Sequence, residues 1–331
     1  MLFFKEYKHI VKKNGLKSGV NRVTRQISSE RKNQIKLIIQ SEAERTTEKP
    51  IDPPLHPIWA NIEKEFSQLV GLEEVKEMIK HIVAWSIVNQ KRKELGLKSD
   101  HHALHMLFRG NPGTGKTTVA RIMAKQLCEL NILSKGHLIE VERADLVGEY
   151  IGHTANKTRE LVKKSMGGIL FVDEAYSLAR GGEKDFGREA IDTLVKHMED
   201  KKDDFILILA GYGAEMDNFL RLNPGLRGRF PHVVTFPDYT VDELMEIAKK
   251  FCREKEFVLT GAAADRVGMY IKKTSSSQQS TVKDNGRFIR NTIESIIRAQ
   301  AVRLLKNQSF TRQDLMMVTE KDVMVALKEK E

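Results

Sequence analysis

Two short segments hold the residue types that phosphoryl chemistry needs. The run Gly110-Asn111-Pro112-Gly113-Thr114-Gly115-Lys116-Thr117 satisfies GxxxxGK[ST] at each fixed position. Glycines at 113 and 115 let the backbone curl around an anion without Cβ contacts, and the N–H groups of a following helix would point at it. Lys116 supplies a cation for the β- and γ-phosphates, and the Thr117 hydroxyl supplies a ligand for Mg²⁺. Pro112, Thr114 and Thr118 complete the stretch expected to cradle the nucleotide. The second segment, Gly168-Ile169-Leu170-Phe171-Val172-Asp173-Glu174, places two carboxylates directly after four apolar residues. Ligands of open α/β sheets bind at the C-terminal ends of strands. There Asp173 can hold Mg²⁺ through water, and Glu174 can orient and polarise an attacking water. Asp173 follows Lys116 by 57 positions, and the chain has no Asn-Lys-x-Asp guanine-reading motif. The chemistry indicated is hydrolysis of ATP.

These residues need a scaffold. Short apolar runs at Met106–Phe108, Leu138–Val141, Ile169–Val172, Phe205–Ala210 and Val233–Phe236 predict strands. Helical spacing predicts helices over Trp59–Leu95 and Thr117–Leu130, with a short one around Leu161 and Val162. Strands separated by helices imply an α/β fold with a parallel sheet covered on both faces. After Pro237 the texture changes. Asp242–Glu254, Ala262–Lys272, Asn285–Leu305 and Glu320–Lys330 all read as helices, and Thr274–Thr281 reads as a polar loop. The expected division is a tail and linker over 1–57, an α/β nucleotide-binding domain over 58–237, and a small all-α domain over 238–331.

Composition narrows the class. Of 331 residues, 40% are hydrophobic and 30% charged, which suits a globular chain. No run of 18 apolar residues exists, so no spanning helix is expected. Met1–Lys13 lacks the apolar core of a secretory signal, and two cysteines are too few for a disulfide framework. A reducing, cytoplasmic setting is expected. The net charge of +10 is concentrated at one end: residues 1–50 hold 12 Lys and Arg against 5 Asp and Glu. Four of the eight prolines fall within Lys49–Pro57, which reads as a linker. The basicity therefore belongs to the tail, and it is the only support for a nucleic-acid partner. His101, His102 and His105 lack a carboxylate or thiol at metal spacing. Cys128 is expected in the core, on the apolar face of the helix after the glycine-rich turn.

A longer series of motifs carries a family resemblance. Asn111–Thr117, Asp173-Glu174-Ala175-Tyr176, Ala210-Gly211-Tyr212, Asn223–Phe230 and Phe236-Pro237-Asp238-Tyr239 together resemble the AAA+ ATPases. Within them they resemble the group that contains stage V sporulation protein K and the red-type Rubisco activases. The resemblance covers roughly residues 60–310 and implies a P-loop sheet with a helical lid. It implies that Val70-Gly71-Leu72 packs on adenine, with Gly71 at the nucleotide. Arg229 would be an arginine finger reaching the neighbouring subunit's γ-phosphate, with Arg227 as the second candidate. Arg287 would be the lid's phosphate sensor. Tyr150-Ile151-Gly152 would project into the central pore of a hexamer, and Gly181–Gly187 would form a second pore loop. Tyr212 stands where many members carry a sensing Asn. Its hydroxyl can bond a water or its ring can pack, and both stay open.

The implied activity is that of a homo-oligomeric ATPase ring that remodels or threads a protein client, with sporulation as the setting. A Rubisco-activase-like chaperone is the alternative, followed by a nucleic-acid motor or loader on the same fold. A nucleotide-switched binding module is disfavoured, because a pure switch has no need of Glu174.

Overall fold

The computed structural model describes residues 56–98, 103–150, 152–180, 185–201, 204–276, 284–306 and 309–328. The basic tail and most of the linker lie outside them, as do His101, His102, Ile151, residues 181–184 and most of the expected Ser/Gln loop.

Five strands form one parallel sheet: β1 (Met106–Arg109), β2 (Leu138–Val141), β3 (Ile169–Val172), β4 (Ile206–Gly211) and β5 (His232–Thr235). Their order is β2-β3-β4-β1-β5. Met106 pairs with Ile208 on one side and His232 on the other, and Ile169 lies between Leu138 and Ile206. β3 and β4 are buried along their whole lengths, as strands covered on both faces must be. Because successive side chains point to opposite faces, the apolar run 169–172 feeds two cores. Ile169 and Phe171 join Met106, Phe108 and Ile208 on one face. Leu170 and Val172 join Leu107, Leu207 and Leu209 on the other.

The first face is covered by α1 (His56–Ser67), α2 (Glu73–Glu94) and α3 (Lys116–Glu129). The helical reading of 59–95 breaks between α1 and α2, where Gly71 (φ 58°) and Leu72 (φ 62°) are both left-handed. The left-handed backbone at Gly71 favours glycine, and a Cβ there would lie 2.0 Å from Glu243 Oε1, so a larger residue would have to displace that carboxylate. The second face is covered by α4 (Arg143–Leu146), α5 (His153–Lys164), α6 (Gly187–Asp200), α7 (Gly213–Leu222) and α8 (Pro224–Arg227). Leu146, Val162, Ile191, Leu194, Phe219 and Leu226 supply their apolar contacts. His105 is buried between β4 and α6. Its Nδ1 accepts from the Leu207 N–H at 3.0 Å, so its proton sits on Nε2, 3.4 Å from the Met198 carbonyl. Cys128, expected in the core, is only half-buried at the edge of α3, where Gly136 packs against its Cβ.

The C-terminal part contains α9 (Val241–Glu254), α10 (Gly261–Ser276), α11 (Asn285–Leu305), α12 (Arg312–Met316) and α13 (Glu320–Lys328). A third core of Leu244, Ala248, Cys252, Val267, Ile289, Ile293 and Val323 unites α9, α10, α11 and α13. Thr240 and Glu243 form a reciprocal capping box that starts α9. The sequence predicts no strand here, yet β6 (Val258–Leu259) and β7 (Met317–Val318) form a two-residue parallel pair. Such a pair is too short for any period-2 signal and exists only because the helices bring its halves together. α10 continues to Ser276 instead of ending before Thr274. The hydroxyls of Thr274, Ser275 and Ser276 donate back to carbonyls one turn earlier, which satisfies them inside the helix.

Candidate functional site

The turn between β1 and α3 begins the site. Gly113 (φ 67°) and Gly115 (φ 95°) take left-handed conformations, and α3 starts at Lys116. Lys116 is buried, and its Nζ donates to the carbonyls of Gly110 (2.8 Å) and Asn111 (2.7 Å). Burial holds its pKa below the usual lysine value. Asp173, Asp238 and Glu174 oppose that shift, while Arg287 adds to it. A cation confined at the base of the loop by carbonyl oxygens is poised for an anion carrying several charges. The Thr114 hydroxyl donates to the Asn111 carbonyl, which pins the loop from inside.

β3 delivers the two carboxylates to the same place. Asp173 Oδ1 accepts from the Glu174 N–H at 2.9 Å. Glu174 itself is left-handed at φ 46°, a conformation that costs a non-glycine residue about 1–3 kcal/mol and is kept where function or packing requires it. The turn points the Glu174 side chain outward while Ala175, Tyr176 and Leu178 return to the core. The buried Tyr176 ring lies 5.5 Å from that of Tyr212. Burial and the nearby Glu174 carboxylate raise the Tyr212 pKa, which keeps its hydroxyl a donor.

Pro112, Gly113, Gly115, Lys116, Thr117, Thr118, Asp173, Glu174, Tyr212 and Arg287 line one cavity of about 510 Å³. Gly71 flanks it beside the lining residue Val70, and Thr114 sits beneath it, fully buried. Arg227, Arg229, Tyr150 and Gly152 do not line it among the described residues. Arg229 instead donates through Nε to Glu199 on α6 at 2.8 Å and through Nη1 to the Gly225 carbonyl.

Tyr150 is 66% exposed at the apex of the turn between α4 and α5. Its ring packs edge-on against His153 at 5.3 Å. The arms of the turn are braced: Gly148 N–H donates to Thr154 Oγ1, and Lys157 donates to the carbonyls of Ala144 and Val147. Gly152, at φ 80°, ends the turn by capping α5. Arg143, just before the turn, donates to the Ser177 carbonyl at 2.7 Å and to Asp185 at 2.6 Å, which ties it to the segment after Glu174.

The cavity also draws on residues that the motifs did not mark. Glu140 on β2 accepts from the Thr117 hydroxyl at 3.4 Å and lies 3.8 Å from Arg121. A carboxylate near the end of a second strand was the available signal. Ile247, Lys250, Phe251, Ile289 and Arg290 close the far end, and Lys250 also donates to the Gln68 carbonyl. Tyr239 reaches the Thr114 carbonyl with its hydroxyl at 3.1 Å. Burial, then Glu243, push its pKa up to about 12. Donors near Thr117 are all oxygens, which suits a hard divalent ion such as Mg²⁺. Few come from the protein, as expected for an ion that shares its shell with water and phosphate.

The geometry is that of a nucleotide cleft between a sheet and a helical lid, and comparison with known proteins agrees. Residues 106–238 match the ATPase family associated with various cellular activities (AAA), and residues 240–331 match the AAA lid domain. Stage V sporulation protein K of Bacillus subtilis is 59% identical over 286 residues, 86% of this chain and 89% of that one. The chloroplastic ribulose bisphosphate carboxylase/oxygenase activase of Cyanidioschyzon merolae is 44% identical over 78% of this chain and 88% of that one. Protein CfxQ of Xanthobacter flavus is 44% identical over 77% and 80%. A solved Thermotoga maritima RuvB structure covers 80% of this chain and 72% of its own at TM-score 0.53; its 21% identity speaks for the fold alone. The protein belongs to the AAA ATPases, in the group of stage V sporulation protein K and the Rubisco activases, and it binds and hydrolyses ATP.

Proposed function

We propose that this ATPase works as a hexameric ring of identical subunits that grips a protein client in its pore and remodels it. The observation that carries the reading is Tyr150, a large aromatic side chain held in solvent on a braced turn where no fold requirement places it. An exposed ring face can grip an extended chain without reading its sequence. Support for a ring comes from Arg229, which lies off its own cavity, in a surface pair with Glu199 that a neighbour's phosphate would replace.

Within a subunit, residues 58–237 act as the nucleotide-binding part and 238–331 as the lid. Lys116 neutralises the β- and γ-phosphates. Thr117 and Asp173 hold Mg²⁺, which supplies charge neutralisation across those phosphates when bound. Glu174 takes the water's proton. Arg287 reports phosphate to the lid, and Gly71 with Val70 bounds the adenine. The name of the Bacillus subtilis relative motivates spore formation as the setting. The Rubisco-activase reading ranks second because identity falls from 59% to 44%. A cytoplasmic location suits two unpaired cysteines.

Glu174→Gln tests the proposal. The amide cannot accept the proton, so ATP should still bind while hydrolysis falls by about 10²–10⁴. With ATP the variant should sediment as a ring and hold a polypeptide that the added Tyr150→Ala change releases. Turnover at the wild-type rate refutes Glu174 as the base. A variant that stays monomeric with ATP refutes the ring.

A further inference from the structure

Where the lid meets the phosphate loop, one buried amide joins three segments. Asn285, the first residue of α11, is 1% exposed and left-handed at φ 47°. Its Oδ1 accepts from the Tyr239 N–H at 2.9 Å, and its Nδ2 donates to Asp238 Oδ1 at 2.8 Å. The same Nδ2 is 3.4 Å from the Pro112 carbonyl. Asp238 in turn accepts from Asn111 Nδ2 on both oxygens at 2.9 Å. Beside this bridge, the Gly286 N–H donates to the Gly113 carbonyl at 3.0 Å, and the Tyr239 hydroxyl to that of Thr114. Each residue from 111 to 114 is therefore held by the 238–239 segment or by the start of α11. The fit is close: a Cβ on Gly113 would lie 2.2 Å from the Asp284 carbonyl oxygen and 2.7 Å from the Arg287 nitrogen.

Stability alone does not explain this arrangement. A buried amide with satisfied partners is a demanding device, and a left-handed asparagine is a backbone choice that needs support. What the bridge does fix is direction. Arg287 follows two residues later, on the first turn of α11, and lines the nucleotide cavity. Any displacement of Asn111–Thr114 is carried through Asp238 and Asn285 to the base of that turn.

We infer that Asn285 is a positioning residue, acting through Arg287: it couples the phosphate loop to the lid and sets where the Arg287 guanidinium meets the triphosphate. This rests on the reading of Arg287 given above. Arginine makes a rigid fork whose value depends on placement, so loosening its base should cost rate more than binding.

The test uses the full-length chain and basal ATP turnover. Asn285→Gly keeps the left-handed backbone, which glycine adopts freely, and deletes only the bridging amide. The expected result is a kcat lower by about ten-fold or more with KM for ATP changed by less than about three-fold. In an Arg287→Ala background the same change should cost less than about two-fold, because a residue acting through Arg287 has nothing left to position. Losses that multiply in the double variant overturn the inference, as does an unchanged kcat for Asn285→Gly alone. If Arg287→Ala itself leaves kcat intact, the Arg287 reading fails first and is recognised separately. Should Asn285→Gly not fold, Asn111→Ala removes the half-buried far end of the same bridge and enters the same cycle. Multiplying losses there overturn the inference equally.

Discussion

Arg229→Ala separates a catalytic loss from a structural one by magnitude. In its own subunit Arg229 pairs with Glu199, and the two side chains are 35% and 56% exposed. Exposed pairs of this kind contribute about 0–1 kcal/mol, so the variant should fold and bind ATP as the wild type does. An arginine finger contributes about 10³–10⁵ in rate, or about 4–7 kcal/mol of barrier. Loss of the Glu199 pair is too small to produce such an effect through unfolding. The trans assignment adds a second quantity. Equal amounts of Arg229→Ala and Lys116→Ala, mixed at random in a ring, place an intact phosphate loop beside an intact finger at about a quarter of interfaces. Phosphate release should then recover to about a quarter of the wild-type rate, although each variant alone is nearly inactive. The assay runs over a series of mixing ratios, with mixed rings verified by native mass spectrometry. A flat baseline across verified mixed rings refutes action in trans. An Arg229→Ala rate within ten-fold of wild type refutes the finger.

Two further outcomes follow from burial. Tyr150→Ala should shift stability by no more than about 0.5 kcal/mol, because a 66% exposed ring leaves no cavity. Basal turnover should persist, client-stimulated turnover should vanish, and Tyr150→Phe should behave as wild type; an early thermal melt for the alanine variant would contradict the exposed-grip reading. His105 predicts an acid limit. Burial lowers its pKa to about 4 from 6.5, so the folded form stays neutral while the unfolded form protonates. Its contribution is intact above pH 6.5 and is lost as pH falls toward 4, with on the order of 2 kcal/mol gone by pH 5. Urea titrations at pH 7 and pH 5 on wild type and His105→Gln check this: equal losses in both would show that His105 is not the group responsible.

Much of the chemistry was legible because it is local. The phosphate loop is eight contiguous residues whose glycines, lysine and threonine have roles set by their own backbone geometry. Asp173 and Glu174 announce themselves because four apolar residues must form a strand buried on both faces. The five strands, and the helices α3, α5, α9, α10, α11 and α13, follow from the same short-range periodicity. The tertiary structure alone decided which distant residues meet. Strand order, Glu140 beside Thr117, Lys250 at Gln68, the β6–β7 pair and the Asn285–Asp238–Asn111 bridge all depend on contacts across long stretches of chain. The helices α4, α6, α7, α8 and α12 are not predicted by the sequence reading: α4, α8 and α12 are too short for a helical period, and the spacing in α6 and α7 stands out only once the face they cover is known. The left-handed Glu174 and Asn285 show the same limit. Sequence registers which conformations a residue tolerates, but a strained backbone at a non-glycine position persists only where surrounding packing and hydrogen bonds impose it.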